Sequence, residues 1–161
     1  MIKIVIADTQ YLIRIGLKNL LSGEVEFKII GEALNSEELY HLVNNHKPDV
    51  VIFDYNNAKN FVIEDIGMVK SVSPNTNFLI ISSDDNKANI YKVNKIRALS
   101  FLTKECDKEE IIDAVYATAK NEKFLCHKVI DIIIEKHIHT DEDACKPLNL
   151  SLRETEIIKL T

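Results

Sequence analysis

The sequence predicts an α/β fold built on a doubly wound parallel sheet, and three observations carry that expectation. Five apolar runs alternate with five helical patterns, one pair every 20–25 residues or roughly so, the signature of strands joined by right-handed helical crossovers. The run Val50–Phe53 is unbroken in its apolar character, as a strand buried on both faces should be. Four strands end in groups that a core does not welcome: Asp8, Asp54, Ser82 and Lys104. A carboxylate leaving a buried strand is costly unless something there uses it. In open α/β sheets the binding crevice lies at the carboxyl ends of the strands, so these exits mark a candidate site.

Taken in order, Ile2–Ala7 reads as the first strand, closed by Asp8. Thr9-Gln10 leads into a helix with Ile13, Leu17, Leu20 and Leu21 on one stripe, stopped by Ser22-Gly23. Phe27–Ile30 is the second strand. Asn35 and Glu38 form a capping-box-like start for the second helix, and Lys47-Pro48 ends it before the Asp54 strand. Helical periodicity resumes from Phe61 to Val72 despite Gly67, and Pro74-Asn75 turns the chain into a fourth strand, Phe78–Ile81. Asn86 to Lys95 is a helix with few apolar anchors. Ala98–Leu102 is the fifth strand, followed by Thr103-Lys104. Asp107 and Glu110 then cap a helix whose buried stripe is Ile111, Ile112, Val115 and Ala119.

Beyond Asn121 the pattern changes. Residues 128–137 carry an apolar stripe (Val129, Ile132, Ile133) and read as a linker helix lying outside the core of the first unit. The acidic stretch around Asp141, Glu142 and Asp143 reads as a hinge, and Ser151-Leu152-Arg153-Glu154 is a capping box that opens a further helix. The expected organisation is therefore a sheet domain over 1–120, a linker over 121–148, and the opening of a second domain over 149–161.

Composition narrows the function classes. The formal net charge is −5, with 25 acidic and 20 basic residues, which gives this chain no electrostatic case for binding nucleic acid on its own. No apolar run approaches the length of about 20 residues that a membrane span needs. The three cysteines, Cys106, Cys126 and Cys145, lack CxxC spacing and fit a reduced, cytoplasmic protein. Cys126, beside His127, is the one to test for reactivity. A cofactor-binding flavodoxin-like enzyme would need glycine in the loop after the first strand, and Thr9-Gln10-Tyr11 has none. A hydrolase would need a G-x-S-x-G elbow, which the chain lacks. His137, His139 and Cys145 fit no tight zinc spacing.

The strand-exit residues, together with Gly31-Glu32-Ala33, Lys47-Pro48-Asp49-Val50-Val51 and the run N-L-S-L-R-E-T-E-I-I-K-L from Asn149 to Leu160, make the chain similar to response-regulator receivers of the NarL/FixJ type, which carry a LuxR-type helix-turn-helix. The resemblance covers the whole chain. It implies the flavodoxin/CheY-like strand order 2-1-3-4-5, a regulatory protein of a two-component system rather than an enzyme, and phosphorylation of Asp54 by a histidine kinase. It further implies Mg²⁺ on Asp8, Asp54 and the carbonyl of Asn56, phosphoryl oxygens on Ser82 and Lys104, and Ser82 with Phe101 as the switch pair. Transcription would be controlled through a DNA-binding domain that begins at 149–161, with homodimers formed through the fifth helix or the linker helix.

Several positions depart from the family pattern. Where two adjacent acids usually follow the first strand, this chain has Asp8-Thr9, so one metal-binding carboxylate is replaced by a neutral group. The loop after Asp54 is Tyr-Asn-Asn-Ala-Lys-Asn, with Lys59 adding positive charge, and the approach to the fifth strand is Arg97-Ala98-Leu99-Ser100. The expectation is weak Mg²⁺ binding and slow modification of Asp54. The alternative is a receiver that works without phosphorylation, as a dimerisation or partner-binding module.

Overall fold

The computed structural model describes residues 1–56, 59–95, 98 and 100–134. Within these, β1 (Ile2–Ala7), α1 (Tyr11–Leu21), β2 (Phe27–Ala33), α2 (Ser36–His46), β3 (Val50–Phe53), α3 (Asp65–Val72), β4 (Asn77–Ser82), α4 (Lys87–Lys95), β5 (Ser100–Thr103) and α5 (Lys108–Ala119) alternate along the chain. The five strands pair in parallel in the order β2-β1-β3-β4-β5. That is the expected order, and it makes β1 and β3 neighbours at the point where the winding reverses.

The central strands are apolar because helices cover both faces. Every residue of β3 and β4 is buried. Phe53 anchors the middle of the core, with edge-to-face contacts to Phe61 and Phe78 at ring-centroid distances of 5.4 and 5.3 Å. Each such pair is worth about 0.5–1.5 kcal/mol beyond the area it buries. At one edge, the pairing steps from Ile4↔Ile29 to Val5↔Gly31, so Ile30 is the extra residue of a bulge. The chains approach closely here: a Cβ on Gly31 would lie 2.7 Å from a terminal methyl of Leu42 on α2, so a larger residue would make that side chain shift.

Two helix starts follow their caps. The Asn35 side chain accepts a hydrogen bond from the Glu38 backbone N–H (2.9 Å), while Glu38 reaches back one residue further than a capping box requires, to the N–H of Leu34. Asp107 and Glu110 form the complete reciprocal box.

The helix expected from Phe61 begins only at Asp65. Phe61 is fully buried against Phe53, so its backbone is committed to plugging the core. The buried Asp65 carboxylate accepts from Ser36 Oγ (2.6 Å) and from the Val62 N–H (2.9 Å), which fixes the turn before α3. β2 and β4 run longer than their apolar runs suggest, and β5 starts at Ser100 rather than Ala98.

The linker stripe is not outside the core. After α5 the chain returns along the open edge of β5, where Leu125 bridges Phe101 in parallel. Phe101 donates its N–H to Phe124 O (3.0 Å), and its carbonyl accepts from the Cys126 N–H (3.3 Å). Residues 127–134 are helical, Val129 is fully buried, and Ile132 and Ile133 pack against the core cluster. The rest of the linker expectation, the acidic hinge, the His137, His139 and Cys145 group and the segment 149–161 lie outside the described residues.

Candidate functional site

The site is built by strand ends. β1 and β3 lie side by side, so the residues that follow them, Asp8 and Asp54, emerge next to each other. β5 delivers Lys104 from the far side of β4. Both carboxylates are almost wholly buried, at 3% and 8% exposure, which would be untenable without a counter-charge. Lys104 supplies it. Its Nζ lies 2.7 Å from Asp54 Oδ2 and 3.5 Å from Asp8 Oδ2, and it also donates to the side-chain carbonyl of Gln10. The backbone completes the arrangement, with the Gln10 N–H donating to Asp8 Oδ1 (2.7 Å) and the Asn56 N–H to Asp54 Oδ1 (2.9 Å). Arg14 Nη1 donates to the carbonyl of Asp8 (3.0 Å), fixing the turn from below.

Electrostatically the two acids share one cation. Burial raises the Asp8 carboxyl above its ordinary value. The Gln10 N–H and the Lys104 charge pull it back down, and the neighbouring Asp54 pushes it up again. Asp54 keeps one oxygen on a backbone N–H and one on the ammonium.

Of the residues expected at the site, the structure brings Asp8, Asp54, Lys104 and the Asn56 backbone together. Ser82 is fully buried at the end of β4, with its Oγ accepting from the Asp84 N–H at 3.0 Å. Phe101 is buried and lies edge-on to Tyr55, with ring centroids 6.4 Å apart. Cys126 is buried at 4% exposure in the core cluster, which removes it as a candidate reactive thiol. Burial likewise pushes the Cys106 thiol up, away from thiolate character.

Sequence reasoning missed Gln10, Tyr55 and Asp84. Tyr55 is buried immediately after Asp54 and donates its hydroxyl to Asp84 Oδ2 at 2.6 Å. The only sequence signal for it was an aromatic residue inside a turn-forming cluster.

Toward a hard divalent cation the available donors are the Asp8 and Asp54 carboxylates and the Asn56 carbonyl. Among the described residues no cluster of three or more acidic, histidine or cysteine side chains is placed to hold a metal. The donor chemistry fits Mg²⁺, but with few anions and with an ammonium already among them.

Comparison with known proteins agrees with this fold. Residues 4–116 match the response regulator receiver domain family. The chain is 30% identical over 162 residues to the transcriptional regulatory protein LiaR of Bacillus subtilis, covering 99% of this chain and 76% of that protein. It is 29% identical over 174 residues to the transcriptional regulatory protein DegU of Brevibacillus brevis, covering 99% and 74%. Among solved structures, the signal receiver domain of NarL from Mycobacterium tuberculosis superimposes with a TM-score of 0.69 at 30% identity, over 74% of this chain and 96% of that one. A LuxR-family response regulator from Aurantimonas shares the fold at a TM-score of 0.79 and 21% identity, over 86% and 99%. With its strand order, its acid pair at the β1 and β3 exits, its strand-five lysine and these matches, the chain belongs to the response-regulator receiver family and is of the NarL/FixJ type.

Proposed function

We propose that this receiver is the input half of a cytoplasmic two-component transcription regulator, switched by transfer of a phosphoryl group from a histidine kinase to Asp54. The observation that supports this most is the Lys104 ammonium, 2.7 Å from Asp54 and 3.5 Å from Asp8 in a buried crevice. Phosphoryl transfer depends mainly on positioning and on neutralising charge. Asp54 attacks the phosphorus, and the donor's P–N bond breaks as the new P–O bond forms. Lys104 then follows the charge from the carboxylate to a phosphoryl oxygen, and the Ser82 hydroxyl donates to another. The movement of Ser82 gives Phe101 room to change its packing. The switch reaches the linker through the paired backbone of Phe101, Phe124 and Cys126. DNA recognition belongs to the LuxR-type module whose opening is the run 149–161; residues 140–161 carry five acidic groups against Lys146, Arg153 and Lys159 and do not bind DNA alone.

Asp8, Asp54 and the Asn56 carbonyl would hold Mg²⁺, which when bound offsets charge on the phosphoryl oxygens. Thr9 stands where a third carboxylate would sit, and losing a unit charge a few ångströms away removes about 1–4 kcal/mol of attraction. That corresponds to roughly one to three decades of affinity. Titration with Mg²⁺ should show binding in the millimolar range or weaker by this estimate, tightened by Thr9→Asp. Small phosphodonors should modify wild-type Asp54 slowly, Thr9→Asp faster and Asp54→Asn not at all. Equal, tight Mg²⁺ binding by wild type and Thr9→Asp would refute the limiting role of Thr9.

A second reading is favoured by the same ion pairs. Lys104 lies where a divalent cation would offset the same two carboxylates, an arrangement that suits a receiver acting as a phosphorylation-independent dimerisation or partner-binding module. Absence of acyl phosphate with kinase or phosphodonor, with dimerisation through α5 or the linker helix intact, would favour it.

A further inference from the structure

The loop between β4 and α4 is tied to the loop after β3 by a hydrogen bond next to Asp54. Tyr55, the residue after Asp54, is buried and edge-on to Phe101. Its hydroxyl donates to Asp84 Oδ2 at 2.6 Å, a short contact to a charged acceptor. The other Asp84 oxygen accepts from the Asn86 N–H (3.0 Å), and the Asp84 N–H donates to Ser82 Oγ (3.0 Å). One side chain therefore fixes the carboxylate, the turn and, through the turn, the lone pair of the Ser82 hydroxyl. A groove of about 250 Å³, lined in part by Tyr55, Asn56, Phe61 and Asn89, lies beside the ring and leaves space for the loop to rearrange.

We infer that Tyr55 is a positioning residue that latches the β4–α4 loop in its unmodified arrangement, holding Ser82 engaged with Asp84 until charge at Asp54 displaces the loop. The Tyr55 hydroxyl is the donor of this bond and the Asp84 carboxylate its acceptor. An added phosphoryl group, carrying up to about two negative charges, repels the Asp84 carboxylate and offers Tyr55 a competing acceptor. The release step rests on the phosphorylation of Asp54 proposed above; the latch itself does not.

The test is Tyr55→Phe, which keeps the buried ring and removes only the hydroxyl. In the unmodified protein, native-state hydrogen exchange of the Asp84 and Asn86 amides should rise about ten- to a hundredfold, the equilibrium worth of a hydrogen bond to a charged group. Exchange of the core amide of Ile80 should stay unchanged. With acetyl phosphate and Mg²⁺, Tyr55→Phe should accumulate acyl phosphate faster than wild type, which a merely structural defect would not produce. Asp84→Asn, which keeps an acceptor but loses the charge, should fall between the two in exchange. Unchanged exchange at Asp84 in Tyr55→Phe overturns the latch whatever happens at Asp54. Slower or equal modification in that variant overturns its opposition to the switch. Raised exchange with no acyl phosphate in either protein sinks the phosphorylation reading and the release step, and leaves the latch standing.

Discussion

At the entry end of the sheet, Ser73, Thr76, Asn77, Ser100 and Thr118 are buried; at the exit end, Asp8, Asp54 and Ser82 are. The entry groups are themselves neutral and bond mostly to backbone and to one another, with Lys70 Nζ donating to Asn77 Oδ1 at the margin (3.0 Å). Thr76 Oγ1 donates to Pro48 O (2.6 Å), Asn77 Nδ2 to Thr118 O (2.9 Å) and Thr118 Oγ1 to Ala114 O (2.6 Å), while Ser100 Oγ accepts from the Phe124 N–H (3.1 Å). Two of the exit groups are charged, and those two carboxylates depend on a single shared ammonium. A neutral network satisfied by fixed carbonyls stabilises one arrangement. A charged one balanced by one shared ammonium leaves each carboxylate dependent on the same cation, so its stability is sensitive to any change of charge there.

Removing the shared cation breaks this contrast most strongly. Lys104→Met leaves two buried carboxylates without a counter-charge, and chemical denaturation at pH 7 should show a loss of about 3–5 kcal/mol. Burial already raises the Asp8 carboxyl and Lys104 pulls it back, so losing Lys104 raises it further, and the loss should shrink as the solution is acidified through that raised value.

At the opposite end, Ser100→Ala leaves the Phe124 N–H without its acceptor and should cost about 2 kcal/mol. The groups bonded to Ser100 are a hydroxyl and a backbone N–H, neither of which is titratable, so the cost should be the same between pH 5 and 8. A pH-dependent loss there would blur the distinction between the two ends.

Asp8→Asn should move stability the other way, by about 1 kcal/mol at neutral pH, because Asp54 retains Lys104 and one buried charge is gone. The sign follows from the raised Asp8 value. Ionised Asp8 costs stability above its folded pKa, and that cost is absent below the ordinary value of 3.8, so the gain should vanish in acid. Stability curves at pH 7 and pH 3 measure it.

The smallest effect belongs to the rim. Glu32 bonds Lys18 (2.7 Å) and Arg14 (3.0 Å) in a partly exposed pair of ion pairs. Its carboxyl is held below the usual value by the Lys18 hydrogen bond first, then by Arg14. Glu32→Gln should cost at most about 1 kcal/mol, less in high salt. That contribution is present above the ordinary Glu value and lost as pH falls through the lowered one.

Much of this was legible in the sequence because the fold places chemistry at strand ends. An apolar run that stops at Asp8, Asp54 or Lys104 shows both the strand and the site in one reading, and the caps at Asn35 and Asp107 mark helix starts through local bonding alone. What stayed hidden depends on tertiary partners. Phe61 continues a helical period, yet its burial against Phe53 delays α3 to Asp65. Val129, Ile132 and Ile133 form a stripe that suits an exposed linker as well as a docked one, and only the open edge of β5 decides between them. Tyr55 and Asp84 are separated by a whole α3–β4 unit, and no local pattern joins them.

The strand-like return of residues 124–126 also changes what counts as the smallest foldable piece. β5 has β4 on one side, and on the other its only hydrogen-bonding neighbour among the described residues is this segment. A chain cut at Asn121 would leave Phe101 with a bare N–H and a bare carbonyl on a sheet edge flanked by apolar Leu102, open to any extended segment of another molecule. Such a cut would turn a protected edge into an adhesive one, and a shortened receiver that self-associates would report the loss of its cover rather than a native dimer.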